Sequence, residues 1–195
     1  FLAHISHEFR TPLTLILSPI RDAIRNASGE DLRLPRRHAR HILHNAERLQ
    51  CLIQQLLDLA TLEAEGATVE RRHGDLGAFV RRVTEAFASF ADQEGITLEL
   101  QTPDDPLPTA FDPDTVETVL SNLLSNALKF TPPGGRVDVR LRATEDTVVL
   151  AVADTGPGIA PKLHKRIFDR FTHIDAPGMP AYEGIGLGLA LSREL

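Results

Sequence analysis

The chain has 195 residues, 42% of them hydrophobic and 25% charged, proportions that suit a folded protein of one or two domains and exclude a disordered one. A net charge of −6 and an aromatic content of 5% argue against nucleic acid as a partner, which asks for cations and stacking surfaces. The single Cys51 excludes an internal disulfide framework and fits a reducing compartment; no apolar run reaches membrane-spanning length, and no signal peptide opens the chain.

Ile5, Phe9, Leu13, Ile16 and Ile20 recur at steps of three and four, which predicts an amphipathic helix from the start to about residue 26. His7 lies off that stripe, on the face of Thr11, Thr14 and Ser18, where a neutral imidazole is open to water and can act as a nucleophile. Glu8 follows as a hydrogen-bond acceptor for its other ring nitrogen, and Pro12 removes a donor and bends the helix beside it. The plain alternative is a solvated surface histidine. A zinc-protease HExxH site is excluded, because its second histidine would fall on Thr11.

Residues 27–35 read as a connection, after which a second helix runs to about residue 65. Its heptad seam is Ile42, Ala46, Leu49, Ile53, Leu56 and Ala60, with Cys51 as helical filler. Two such helices make an antiparallel hairpin whose seams are covered by dimerisation into a four-helix bundle or, alternatively, by the rest of the chain. His38, His41 and His44 stand at steps of three that drift around the helix without acidic partners, so they read as a solvated basic stretch rather than metal ligands.

Charged residues then replace the heptads, and residues 67–75 read as a linker between domain 1–66 and domain 76–195. Residues 76–92 predict a helix, 96–101 an alternating strand and 102–108 a proline-rich loop. Asp112 caps a helix that Pro113 opens and that continues through Lys129; strands follow at 137–141 and 148–153. This order indicates an α+β two-layer sandwich with helices on one face of a mixed sheet.

Four segments of this second domain carry polar chemistry that packing does not request. Asn122, Asn126 and Lys129, at steps of four and three, place two amide oxygens for a hard cation and an ammonium for phosphate on one helix face. DTGPGIA, residues 154–160, offers Asp154 as an acceptor for an adenine amino group, and Gly156 and Gly158 for close backbone approach. IFDRF carries Phe168 and Phe171 and opens a loop rich in proline and glycine. GIGLGL, with Gly184, Gly186 and Gly188, leads into a helix and can present backbone N–H groups to phosphate.

Together with SHEFRTPL at residues 6–13, this order of motifs resembles the transmitter core of a two-component sensor histidine kinase, with an affinity to the hybrid type. Residues 6–13 resemble its H box, 121–131 its N box, 154–158 its G1 box, 168–171 its F box and 184–189 its G2 box. The resemblance implies a dimerising phosphotransfer hairpin followed by an ATP-binding domain of the GHKL type. It implies His7 as phosphoacceptor, Glu8 as the group that orients or deprotonates it, and Thr11 as a residue for dephosphorylating the regulator, against the alternative that Thr11 only faces solvent or bonds a backbone carbonyl. It further implies ATP and Mg²⁺, with Asn126 as metal ligand and Asn122 close by. Lys129 would meet phosphate, Phe130 the adenine and Asp154 its amino group, with residues 177–183 a lid. The implied partners are a second copy of the chain and the receiver domain of a response regulator. No nucleic acid and no direct membrane contact are expected.

Residue 1 begins within helical periodicity and residue 195 ends within another helix, so the sequence reads as a cytoplasmic piece of a larger, membrane-anchored bacterial sensor, its ATP-binding domain truncated at the C-terminus. Ile185 occupies a G2 position often held by a small hydroxyl residue, and His173 one often held by arginine, with Arg170 nearby. These departures motivate the alternative of a catalytically weak nucleotide-binding scaffold. Other GHKL ATPases, the topoisomerase and mismatch-repair relatives, lack the HEFRTP hairpin.

Overall fold

The computed structural model describes residues 2–25, 34–65, 69–144, 146–172 and 186–195, without the side chains of 2–8, 47, 48, 51, 55, 58, 59 and 61–65. The chain divides into two compact units, the first built on residues 1–66 and including Gly186 and Leu187, and the second on 67–180 with 188–195.

In the first unit, α1 (Leu2–Arg25) and α2 (Arg36–Glu65) pack against each other as a hairpin. α1 continues through both Pro12 and Pro19, and Pro12 is fully buried on its inner side. The seam of α2 differs from the expected one. Ile42, Asn45, Leu49, Leu52 and Leu56, at steps of three and four, turn inward, whereas Ala46, Ile53 and Ala60 are exposed. Two heptad lines run side by side on this helix, and the predicted seam crossed from one to the other. Asn45 is the polar member of the inner line, and its Nδ2 donates to the His41 carbonyl at 2.8 Å. The outer line stays apolar and open, with Leu43 59%, Ile53 45% and Leu57 55% exposed.

The second unit is an α+β sandwich. Strands β1 (Arg72–Asp75) and β3 (Pro108–Phe111) pair antiparallel, apart from a three-stranded sheet in the order β2 (Thr97–Gln101), β4 (Arg136–Ala143), β5 (Val148–Asp154). β2 runs parallel to β4, and β5 antiparallel to it. Val137, Val139 and Leu141 of β4 point to a core shared with α3 (Leu76–Glu85) and α5 (Pro113–Phe130), while Thr97, Glu99 and Gln101 face out. Three expectations change here. β1 forms within the expected linker and β3 at the end of the proline-rich loop, because four-residue strands are too short to show alternation. The helix expected over 76–92 breaks after Glu85 and resumes as α4 (Ala88–Gln93). At the break, Thr84 Oγ1 donates to the Val80 carbonyl at 2.8 Å, and the Thr84 carbonyl accepts from the Phe87 N–H in a tightened turn.

Asp112 positions α5. Its Oδ1 accepts from the N–H groups of Asp114 and Thr115, and its Oδ2 from the Glu70 N–H at 2.7 Å. The Thr115 N–H above all, then those of Glu70 and Asp114, hold this carboxyl below its ordinary 3.8 against the opposing effect of desolvation. A depressed folded pKa gives stability that is complete above the ordinary value and is lost as pH falls through the folded one. Asp112→Ala should therefore cost about 1–2 kcal/mol of unfolding free energy at neutral pH. Asp112→Asn, which keeps a cap, should lose less stability than the parent chain between pH 5 and pH 2, on the order of those carboxylate pKa values. Urea denaturation across that range reads both effects.

Candidate functional site

The polar face of α5 follows from its apolar one. Leu120, Leu124, Ala127 and Leu128 are buried, so Asn122, Asn126 and Lys129 fall outside that stripe, the two amides half-buried and the lysine exposed. Asn122 Nδ2 donates to the Gly188 carbonyl at 3.3 Å and to Ser192 Oγ at 3.4 Å. One turn on, the Asn126 amide makes no hydrogen bond among the described residues. Lys129 Nζ stands 5.4 Å from the Phe130 ring centroid. α5 stops at Thr131, whose N–H and Oγ1 both donate to the Ala127 carbonyl, at 3.0 and 2.7 Å.

The acid-glycine turn begins at Asp154, the last residue of β5. Asp154 Oδ1 accepts from the Gly156 N–H at 2.8 Å, which leaves Oδ2 as an exposed acceptor. Thr155 fastens the turn to β4: its N–H donates to the Arg136 carbonyl at 3.0 Å, and its Oγ1 accepts from the Arg136 N–H at 2.9 Å. A Cβ on Gly156 would lie 2.6 Å from the Phe130 carbonyl oxygen, so glycine here lets the turn abut the end of α5. Gly158 has φ 69°, in the left-handed region that favours glycine.

The aromatic segment is tied to α6 (Gly188–Glu194). Arg170 Nη2 donates to Glu194 Oε1 at 2.8 Å, and the Arg193 guanidinium lies 6.0 Å from the Phe168 ring centroid. Phe171 adopts φ 63°, a strained value for a side-chain-bearing residue. Gly186 has φ 69°, and Gly188 opens α6. Gly184, the expected lid at 177–183, His173 and Ile185 lie outside the described residues.

The amide helix, the acid-glycine turn and the glycine-helix entry therefore meet around α5, through Phe130–Gly156 and Asn122–Gly188. His7 and Glu8 lie on α1 in the other unit, where the helical backbone is described and their side chains are not; Thr11, one turn on, is half-buried. Sequence reasoning passed over Thr131, Thr155 and Ser192, which position the motifs. It also passed over Gly135, where a Cβ would collide with Thr131 Cγ2 and Thr155 Oγ1. The TPPGG run signals a turn, yet nothing local shows that both threonines close on it.

The donor set suits a magnesium nucleotide. A half-buried amide oxygen with no partner among the described residues is a hard ligand, and Mg²⁺ is commonly held by one or two protein oxygens together with phosphate and water. Asp154 Oδ2 and Lys129 complement an amino group and a phosphate respectively.

Residues 1–65 match the His Kinase A (phospho-acceptor) domain family, and residues 111–195 the histidine kinase-, DNA gyrase B- and HSP90-like ATPase family. The chain is 37% identical over all its 195 residues to the sensor histidine kinase TmoS of Ectopseudomonas mendocina, of which it spans 20%. Full-length ShkA, crystallised in complex with AMPPNP, is 32% identical over 99% of this chain and 39% of that one, with a TM-score of 0.70. The mycobacterial sensor histidine kinase MprB is 31% identical over 64% of this chain and 77% of that one, with a TM-score of 0.52. A phosphoacceptor match over the hairpin and an ATPase match over the sandwich, together with these relatives, place the chain in the sensor histidine kinase family.

Proposed function

We propose that the chain is the transmitter core of a larger sensor, in which residues 1–66 dimerise and carry the phosphoacceptor His7, and the α+β sandwich that follows, with β1 as part of it, binds ATP. The backbone contact between Phe130 and Gly156 carries this reading, because it brings the amide helix and the acid-glycine turn side by side.

In the reaction the unprotonated imidazole nitrogen of His7 attacks the γ-phosphorus of ATP. The bond from that phosphorus to the β–γ bridging oxygen breaks, and ADP leaves with the electron pair. Glu8 holds the second ring nitrogen through its N–H and takes the proton released there. Lys129 neutralises phosphate charge, Asp154 accepts from the adenine amino group, and Phe130 lies against the ring. Gly158, Gly186 and Gly188 give backbone access to the phosphates. Asn126, with Asn122 close by, would hold Mg²⁺, which would supply charge neutralisation at the phosphates. Positioning is the protein's main contribution. The phosphohistidine then passes its group to an aspartate of a receiver domain, and Thr11 orients water for the reverse signal.

The open heptad line of α2 supports the homodimer. Each fully buried Leu or Ile contributes about 1.5–3 kcal/mol, so covering Leu43, Ile53 and Leu57 on two hairpins is a substantial driving force. No helix among the described residues is long and apolar enough to cross a membrane, so the proposed anchor belongs to other parts of the sensor, with this segment on the cytoplasmic side.

Incubation with Mg-ATP labelled at the γ-phosphate tests the proposal. The chain should gain a phosphate that is labile in acid and stable in alkali. Acid-stable label, or no ATP binding at all, sinks the reading; ATP binding without transfer turns it into that of a nucleotide-responsive scaffold.

A further inference from the structure

Ser192 belongs to none of the motifs, yet its hydroxyl joins two of them. It lies on α6, four residues after Gly188, and its Oγ donates to the Gly188 carbonyl at 2.9 Å. A helical serine often bonds the carbonyl four residues back and does nothing more. Here the same oxygen accepts from Asn122 Nδ2 at 3.4 Å, and that amide also donates to the Gly188 carbonyl at 3.3 Å. The three groups close a ring between α5 and α6.

The ring leaves little freedom. With its proton on the Gly188 carbonyl, the Ser192 hydroxyl presents a lone pair to Asn122, and because the two acceptors lie only 2.9 Å apart they share one amide hydrogen of Asn122 in a three-centre bond. The Asn122 oxygen is thereby turned toward Gly188 Cα, where a Cβ would lie only 3.1 Å from it. Gly188 thus has a packing reason to be glycine. Asn126 stands one turn along α5 from this ring, and Gly186 two residues before it. The place of Gly188, at the start of α6, relative to Asn126 follows from these bonds.

We infer that Ser192 is a positioning residue for nucleotide binding: through the Asn122 amide and the Gly188 carbonyl, it holds the glycine-rich entry to α6 in register with Asn126. The inference rests on the ATP-dependent reading above. α6 is also packed by buried Ala190 and Leu191, so removing the hydroxyl leaves the helix in place and loosens its register.

Ser192→Ala in the whole chain should raise the ATP dissociation constant and the KM for ATP by about three- to tenfold, the range of one lost neutral hydrogen bond. The kcat for phosphotransfer should stay within about twofold, since Ser192 touches no reacting atom. Ser192→Thr retains the hydroxyl and should restore affinity to within about twofold of the parent. Ser192→Ala added to Asn122→Ala should weaken binding little further, because both break one ring. Four results each overturn the inference: unchanged ATP affinity in Ser192→Ala, including unchanged affinity with a lowered melting temperature; a threonine variant as weak as the alanine one; a loss confined to kcat; or additive effects in the double variant. A parent chain that binds no ATP overturns the kinase reading and this inference with it, whereas a parent that binds ATP normally lets the variants decide this inference alone.

Discussion

His7→Gln is expected to abolish the acid-labile phosphate entirely while leaving ATP affinity within about twofold of the parent chain. Glutamine is polar, of similar reach and a better helix former than histidine, so α1 should keep its fold. What it lacks is a ring nitrogen with a free electron pair, because the amide pair is delocalised into its carbonyl. Asn122, Asn126, Lys129, Phe130, Asp154, Gly158 and Gly188, all proposed to hold ATP, lie in the second compact unit, and none of them is altered. Binding and transfer should therefore separate. Calorimetry gives the affinity, and stability of the label in acid and in alkali gives the acceptor type. Persistent acid-labile label in His7→Gln would move the phosphoacceptor to another histidine, and weakened ATP binding would place His7 in the nucleotide site itself.

What could be read in the sequence tracks the distance over which each interaction acts. The Asp112–Pro113 start of α5 was legible because a cap is a local device, written in adjacent residues. Both hairpin helices were legible from apolar spacing, although the choice between two adjacent heptad lines on α2 was not. That choice depends on which line meets α1. β1 and β3 each have four residues and exist only because Arg72 finds Phe111 and His73 finds Ala110 across the chain. The site divides in the same way. The spacing of Asn122, Asn126 and Lys129 put them on one face, yet nothing local indicated that Asn122 would bond to groups 66 and 70 residues away. Gly156 was expected to allow close backbone approach, and the group that comes close among the described residues is the Phe130 carbonyl.

The two asparagines of α5 consequently predict different things, although spacing alone made them equivalent. Asn122→Ala removes two hydrogen bonds that join α5 to α6, so it should lower stability as well as nucleotide affinity. Asn126→Ala removes none among the described residues, and alanine suits a helix better than asparagine, so its unfolding free energy should move by no more than about 0.5 kcal/mol. Phosphotransfer by Asn126→Ala should nonetheless fall on the order of a hundredfold or more, the scale of losing one preorganised electrostatic contact at a transferring phosphoryl group. Asn126→Asp, which keeps a hard oxygen ligand, should recover part of that rate as Mg²⁺ is raised, while Asn126→Ala should not. Thermal unfolding, initial rates and a Mg²⁺ titration on both variants check the separation. An Asn126→Ala chain that phosphorylates at the parent rate removes Asn126 from the metal site; one that loses rate and stability together makes it a structural residue like its neighbour one turn back.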